Sequence, residues 1–203
     1  MRASARLRPQ RPLPIADGWL CPDAEPGRPE RRDEMKLMLE KMLHLRSLYM
    51  DQVRSMLSAE EQVGDWLGKL QHAILDRQLD DAFQAHIQRS QMHAGRLRDI
   101  LNHTAGKAEE KKCKVVAAMF GEAGSLVEGT DKGPLRDAAL ISLAQRVNHY
   151  QMAVYGALRS YARLLELSGE ADTLDRILRD EAESDNELTR LSERVNHEAF
   201  ALG

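Results

Sequence analysis

The chain has 203 residues, 42% hydrophobic and 30% charged, with a formal net charge of −3. That length and balance suit one soluble domain with a full-sized core. The weak negative charge gives no general attraction to nucleic acid or anionic lipid. Its two cysteines, Cys21 and Cys113, form no metal or redox spacing, and a reducing, cytoplasmic compartment is expected. No apolar run approaches the roughly 20 residues that span a bilayer, so no membrane association is expected. Aromatics are only 4%, while Leu, Ala, Glu and Arg abound, which favours helix.

Residues 1–34 hold Pro9, Pro12, Pro14, Pro22, Pro26 and Pro29. No helical or strand period runs through them, and the segment reads as a disordered Pro/Arg-rich tail, or as a leader preceding a start at Met35. Arg2, Arg6, Arg8 and Arg11 give it weak anion-binding character. Residues 35–203 read as the folded domain.

Apolar positions then step by three or four through Leu45, Tyr49, Val53, Met56, Glu60, Val63, Leu67 and Leu70, which predicts a first long helix. A second stripe runs Leu75, Leu79, Phe83, His86, Ser90, His93, Leu97 and Leu101. The short break near Gln71–Ile74 makes the two an antiparallel hairpin. A polar connection, His103 to Lys112, leads to a shorter apolar helix, Cys113 to Val127, and a loop over Glu128–Gly133. Pro134 suits the first turn of the next helix, and Asp137 favours its dipole. The third long stripe is Leu140, Ala144, Val147, Gln151, Val154, Leu158, Tyr161 and Leu165, with Ser168-Gly169 as its stop and Gly169 as a left-handed terminal residue. Gly156 inside it reads as a point of close helix approach. The fourth stripe is Leu174, Leu178, Glu181, Asp185, Leu188, Leu191 and Val195. The prediction is an all-α, ferritin-like four-helix bundle: two helical hairpins joined by a crossover containing a short helix.

Polar residues interrupt every stripe near mid-helix: Glu60; His86, Ser90 and His93; Asn148 and Gln151; Glu181 and Asp185. A hairpin centred near residue 73 sets Glu60 level with about residue 86, and one centred near 168 sets Asp185 level with Gln151. Buried carboxylates must be paired, neutralised or metal-bound, because burying one bare costs several kcal/mol. Two readings follow. Three acids and two histidines suit iron, manganese or zinc. Alternatively the acids share protons and hydrogen bonds with Gln151, Asn148 and Ser90, with histidine offsetting charge.

Several segments in order resemble the YciE/YciF family of stress proteins: Leu135 to Ile141, Ala144 to Tyr150, Tyr155-Gly156, Ser58-Ala59-Glu60 after Leu48-Tyr49, Phe83 with His86 and His93, Lys112-Cys113, and Asp185 with Leu188-Thr189. The resemblance covers about residues 40–197. It implies a ferritin-like, rubrerythrin-like bundle in a bacterial, stress-linked setting, with a second copy of itself as partner. Relatives in the wider superfamily hold two metal ions. Against the family pattern, Gln88 and Arg89 stand where two glutamates are usual, and Asn148 and Gln151 where two more are usual. Glu60, His86, His93, Glu181 and Asp185 are retained. The resemblance therefore implies a degenerate site: no di-iron centre, and a non-catalytic protein with no cofactor that acts through protein interaction or self-association. The rival is one weaker iron or manganese at Glu60, His93 and Glu181, serving iron oxidation or peroxide removal. Nucleic acid binding through the arginine tail is a third, weaker class.

Overall fold

In a computed structural model the chain is described over residues 44–104 and 111–201. Residues 1–34, read above as a tail, lie outside the described residues. The helices are α1 (Leu45–Leu70), α2 (Arg77–Thr104), α3 (Lys114–Gly129), α4 (Pro134–Leu164) and α5 (Ser168–Phe200). The four long helices form a closed ring of contacts: α1 against α2, α2 against α5, α5 against α4, and α4 against α1. Short α3, in the crossover, packs on α1 and α4. This is the predicted all-α bundle.

The apolar stripes become the core. Tyr49, Val53, Met56, Val63 and Leu67 of α1 meet Leu79, Phe83, Leu97 and Leu101 of α2, with Leu140, Val147, Leu158, Leu174, Ile177 and Val195 from the second hairpin. Each buried Leu, Val or Phe adds roughly 1.5–3 kcal/mol of transfer free energy, which offsets the entropy of ordering four long helices. Trp66 of α1 stacks on Phe120 of α3 at a centroid distance of 5.7 Å, fastening the crossover helix to the bundle.

The connections carry the corrections. Between α1 and α2 a 3-10 turn (Gln71–Ala73) is followed by extended residues, and Asp76 caps α2 by accepting the Leu79 N–H at 2.9 Å. Leu75 therefore lies before the helix and is 58% exposed, not part of the α2 stripe. The connection is two residues longer than the expected break, and the register differs from that expected: Glu61 pairs with Arg98 and Gln71 with Gln84. α3 runs on through Gly121 and Gly124 to Gly129, beyond the predicted start of the loop.

α4 ends at Leu164, and the left-handed residue after it is Glu166 (φ 61°), not Gly169. Leu167 N–H bonds to the Ala162 carbonyl at 2.9 Å and Glu166 N–H to the Arg163 carbonyl at 3.1 Å. These two bonds make a Schellman end, and they set the reversal at Glu166 because partly buried Leu167 must return to the core beside buried Ala162. Ser168 and Gly169 instead open α5. Gly156 is not a point of close approach, since a Cβ there meets nothing within 4 Å.

Asp137 does more than complement the α4 dipole. Its buried carboxylate accepts the N–H groups of Leu75 (3.0 Å) and Asp76 (2.8 Å), tying α4 to the α1–α2 connection. Arg194 of α5 reaches the Asp76 carboxylate at 2.8 Å at the same corner. Among the described residues, no helix is long and apolar enough to cross a membrane.

Candidate metal centre

Helical steps of three and four stack polar side chains on one face. α2 thereby aims His86, Ser90 and His93 inward, and α4 aims Asn148, Gln151 and Tyr155. α1 supplies Glu60, and α5 supplies Glu181 and, one turn on, Ser184. All nine are buried.

His93 is the hub. Its Nδ1 lies 3.1 Å from Glu181 Oε1 and 3.6 Å from Glu60 Oε1, and its Nε2 lies 3.1 Å from Asp180 Oδ2. Tyr155 donates its hydroxyl to Glu60. Gln151 Nε2 approaches Glu181 Oε1 at 3.5 Å, and Asn148 donates to the Glu181 backbone carbonyl at 3.2 Å. Asp180 also accepts from Arg96 at 3.0 Å.

An ionised carboxylate only accepts hydrogen bonds, so a ring facing carboxylates at both nitrogens donates from both. Burial alone pushes the His93 pKa down, but the carboxylates of Glu181 and Glu60 outweigh it and raise it to about 10. The imidazolium offsets one charge where two buried acids meet. Burial pushes Glu181 up to about 7, against the pull of the His93 hydrogen bond and with the help of Glu60. His86 is driven down to about 4 by burial and is neutral at pH 7. Asp180 is held below the usual carboxylate range: burial opposes this, and the hydrogen bonds from His93 and Arg96 prevail.

The sequence-predicted residues divide. Glu60, His86, His93, Asn148, Gln151 and Glu181 come together. The slid register brings Glu60 to His93 rather than to His86, and sets Gln151 against Glu181, one turn before Asp185. Asp185 stays outside the cluster: it is partly buried and sits 3.4 Å from the Nε2 of exposed His149. Gln88 is exposed and is not part of a polar core, because two residues past His86 is the opposite side of α2. Arg89 does not pair with Glu60 or Glu181. It reaches Glu187 at 3.5 Å, while its charge still lowers the pKa values of His86 and Glu181.

Tyr155, Asp180 and Ser184 escaped the reading of the sequence as site residues. Tyr155 and Ser184 are signalled by steps of four and three from Gln151 and Glu181. Asp180 is next to Glu181 and off its stripe, so periodicity gives it no signal.

A two-metal centre of the ferritin-like kind takes a glutamate from each of two helices and a Glu-x-x-His pair from each of the other two. Here the pairs read Ser90-x-x-His93 and Glu181-x-x-Ser184, and the single positions read Glu60 and Gln151. Half of the donors are gone, so the residues do not fit two ions. The remaining half is coherent: Glu60, His93 and Glu181 each present a ligand atom, all within 4.8 Å of one another. Glu60 Oε2, Glu181 Oε2 and His86 Nε2 are buried with no hydrogen-bond partner among the described residues. A surface cavity of about 450 Å³, lined by Arg96, Ile100, Leu167, Glu170 and Arg176 among others, includes none of the triad.

The family described as "Domain of unknown function (DUF892)" matches residues 44–201. Protein YciF of Escherichia coli (strain K12) is 35% identical over 144 residues, 70% of this chain and 87% of YciF. The crystal structure of the E. coli stress protein YciF superposes with a TM-score of 0.73 at 30% identity, covering 77% of this chain and 99% of that one. YcfI from Rhodopseudomonas palustris superposes with a TM-score of 0.69 at 26% identity, covering 73% and 94%.

Proposed function

The chain belongs to the DUF892 family and is similar to YciF, and on that premise we propose that it is a non-catalytic, stress-associated protein. It acts through self-association or contact with another protein, in the cytoplasm. One observation carries this reading: three of the six donor positions of a ferritin-like centre hold Ser90, Gln151 and Ser184. Two metals sharing redox chemistry need bridging carboxylates, and neutral amide and hydroxyl oxygens cannot balance their charge. In their place the His93 imidazolium bonds to Glu181 and Asp180 and lies close to Glu60.

The test is iron oxidation and peroxide consumption by protein from iron- and manganese-supplemented cells. No turnover above a metal-only blank is expected. Turnover abolished by Glu60→Ala and Glu181→Ala overturns the reading. Light scattering at micromolar concentration checks self-association, for which a monomeric mass is the contrary result.

A second reading is favoured by the three ligand atoms within 4.8 Å: the surviving half-site binds a single iron or manganese without turnover. Elemental mass spectrometry separates the two, with about one metal per chain against none.

A further inference from the structure

We infer that Asp180, held in place by Arg96, is the positioning residue that turns His93 toward a single divalent cation between α1, α2 and α5. This rests on the one-ion reading of the half-site. A histidine ligates through an unprotonated nitrogen. The nitrogen facing Glu60 and Glu181 is Nδ1, at 3.6 and 3.1 Å, so on binding the cation the imidazolium releases its Nδ1 proton and keeps the one on Nε2. Nε2 lies 3.1 Å from Asp180 Oδ2, and a carboxylate accepts that proton's hydrogen bond and offers none back. Asp180 thus fixes both the tautomer and the tilt of the ring.

Asp180 cannot itself be a ligand to the same ion, because it bonds to the opposite nitrogen of the ring. Its carboxylate is about one-third exposed, and Arg96 anchors it from α2 at 3.0 Å, the same helix that carries His93. A carboxylate on the far nitrogen of a ligating imidazole raises the basicity of the ligand and sets its direction. On the inner side, Glu60 Oε2, Glu181 Oε2 and His86 Nε2 are buried and without partners among the described residues, and His86 Nε2 is 3.8 Å from Glu181 Oε2. The mixed nitrogen and oxygen donors suit Mn²⁺, Fe²⁺, Co²⁺ or Zn²⁺ better than Mg²⁺ or Ca²⁺.

Co²⁺ is the probe, since its visible absorption reports the ligand set as well as the affinity. The full chain is titrated as wild type, Asp180→Ala, Asp180→Asn and Glu60→Ala. One Co²⁺ per wild-type chain is expected, with affinity weakened roughly 10- to 100-fold in Asp180→Ala. Asp180→Asn, whose amide oxygen still accepts from Nε2–H, should fall between the two and keep the wild-type spectrum. Histidine ¹⁵N NMR of the Zn²⁺-loaded chain supplies a readout that a mere surface ion pair would not move: His93 ligates through Nδ1 alone in wild type, with Nε2 protonated, and through a mixture of Nδ1 and Nε2 in Asp180→Ala. If Asp180→Ala fails to fold, Asp180→Asn carries both measurements. Unchanged affinity and tautomer in the Asp180 variants overturn the role of Asp180 and leave the one-ion reading standing. No uptake by wild type, or uptake undiminished in Glu60→Ala, removes the one-ion reading and this inference with it.

Discussion

His93 on α2 meets Glu181 on α5 at 3.1 Å across the bundle interior, and both side chains are closed to solvent. Glu60 adds a second buried carboxylate beside the same ring, at 3.6 Å. The two partners are therefore not equivalent. Removing the ring strands both acids, and His93→Ala should cost about 3–5 kcal/mol, the usual loss when one partner of a buried ion pair is deleted. Glu181→Gln keeps an accepting oxygen of similar shape and removes the surplus charge, so it should cost less than about 1 kcal/mol. Urea denaturation at pH 7 compares the two. Equal losses would refute the picture of one cation serving two acids.

The same groups set the dependence of stability on pH. The raised pKa of His93, about 10, gives stability that is complete below its ordinary 6.5 and disappears as pH climbs through 10. Glu181, raised to about 7, acts in the same direction, complete below 4.5 and lost as pH rises through 7. His86, depressed to about 4, is opposite: its contribution is present above 6.5 and lost as pH falls through 4. His86 and Glu181 offset each other between pH 4.5 and 6.5, and above pH 7 the slope comes from His93. The urea midpoint should be nearly flat from pH 5 to 7 and fall from 7 to 10, by a few kcal/mol in unfolding free energy, about 1.4 kcal/mol being the scale for one pKa unit. In Glu181→Gln the flat region should tilt, with stability rising from pH 4 to 6.5. A wild-type midpoint that rises above pH 8 would contradict the assignment of the proton to His93.

Asp137 holds the α1–α2 connection rather than chemistry. Its carboxylate, 1% exposed, accepts two backbone N–H groups, and in Asp137→Ala both lose their partner. Each is worth roughly 1–2 kcal/mol, so a loss of about 2–4 kcal/mol is expected. Asp137→Asn keeps one acceptor oxygen and should lose about half as much. Hydrogen exchange should accelerate first at the Leu75 and Asp76 amides. Unchanged exchange there would show that the connection is held by Arg194 and Asp76 alone.

The helices were legible because burial enforces a period, and that period is written in Tyr49, Val53, Met56, Val63 and Leu67 without help from anywhere else. Glu60, His93 and Glu181 were legible for the complementary reason: each breaks an apolar stripe where water cannot reach. Register was not legible, because it depends on how many residues the 3-10 turn and the extended residues after it consume, and no stripe records that. Gln88 was misplaced by comparison with a family pattern without a check of helical phase, which puts it on solvent. Asp180 is the opposite case, a residue with a solvent-side phase that a partner on another helix, His93, draws into the site. Glu166 defeats local rules outright, since Gly169 stands three residues away and the reversal is set by where Leu167 has to pack.

Two glycine substitutions test the last of these points. Gly156 occupies the middle of α4, where a Cβ meets nothing within 4 Å, so Gly156→Ala should stabilise by about 1 kcal/mol through helix propensity. Glu166 holds φ at 61°, a conformation that costs a side-chain-bearing residue about 1–2 kcal/mol and glycine almost nothing. Glycine also frees the unfolded chain, so Glu166→Gly should gain only a few tenths to about 1 kcal/mol. The sites lie ten residues apart, one in the middle of α4 and one beyond its end, so the gains should add in the double variant. Thermal unfolding at two protein concentrations makes the comparison sharper. A gain for Gly156→Ala at both concentrations is the expected outcome and leaves that face of α4 free. A loss that grows with concentration would mean that a second copy packs against Gly156, because only a surface covered in the assembly turns an added methyl group from helix stabiliser into obstruction.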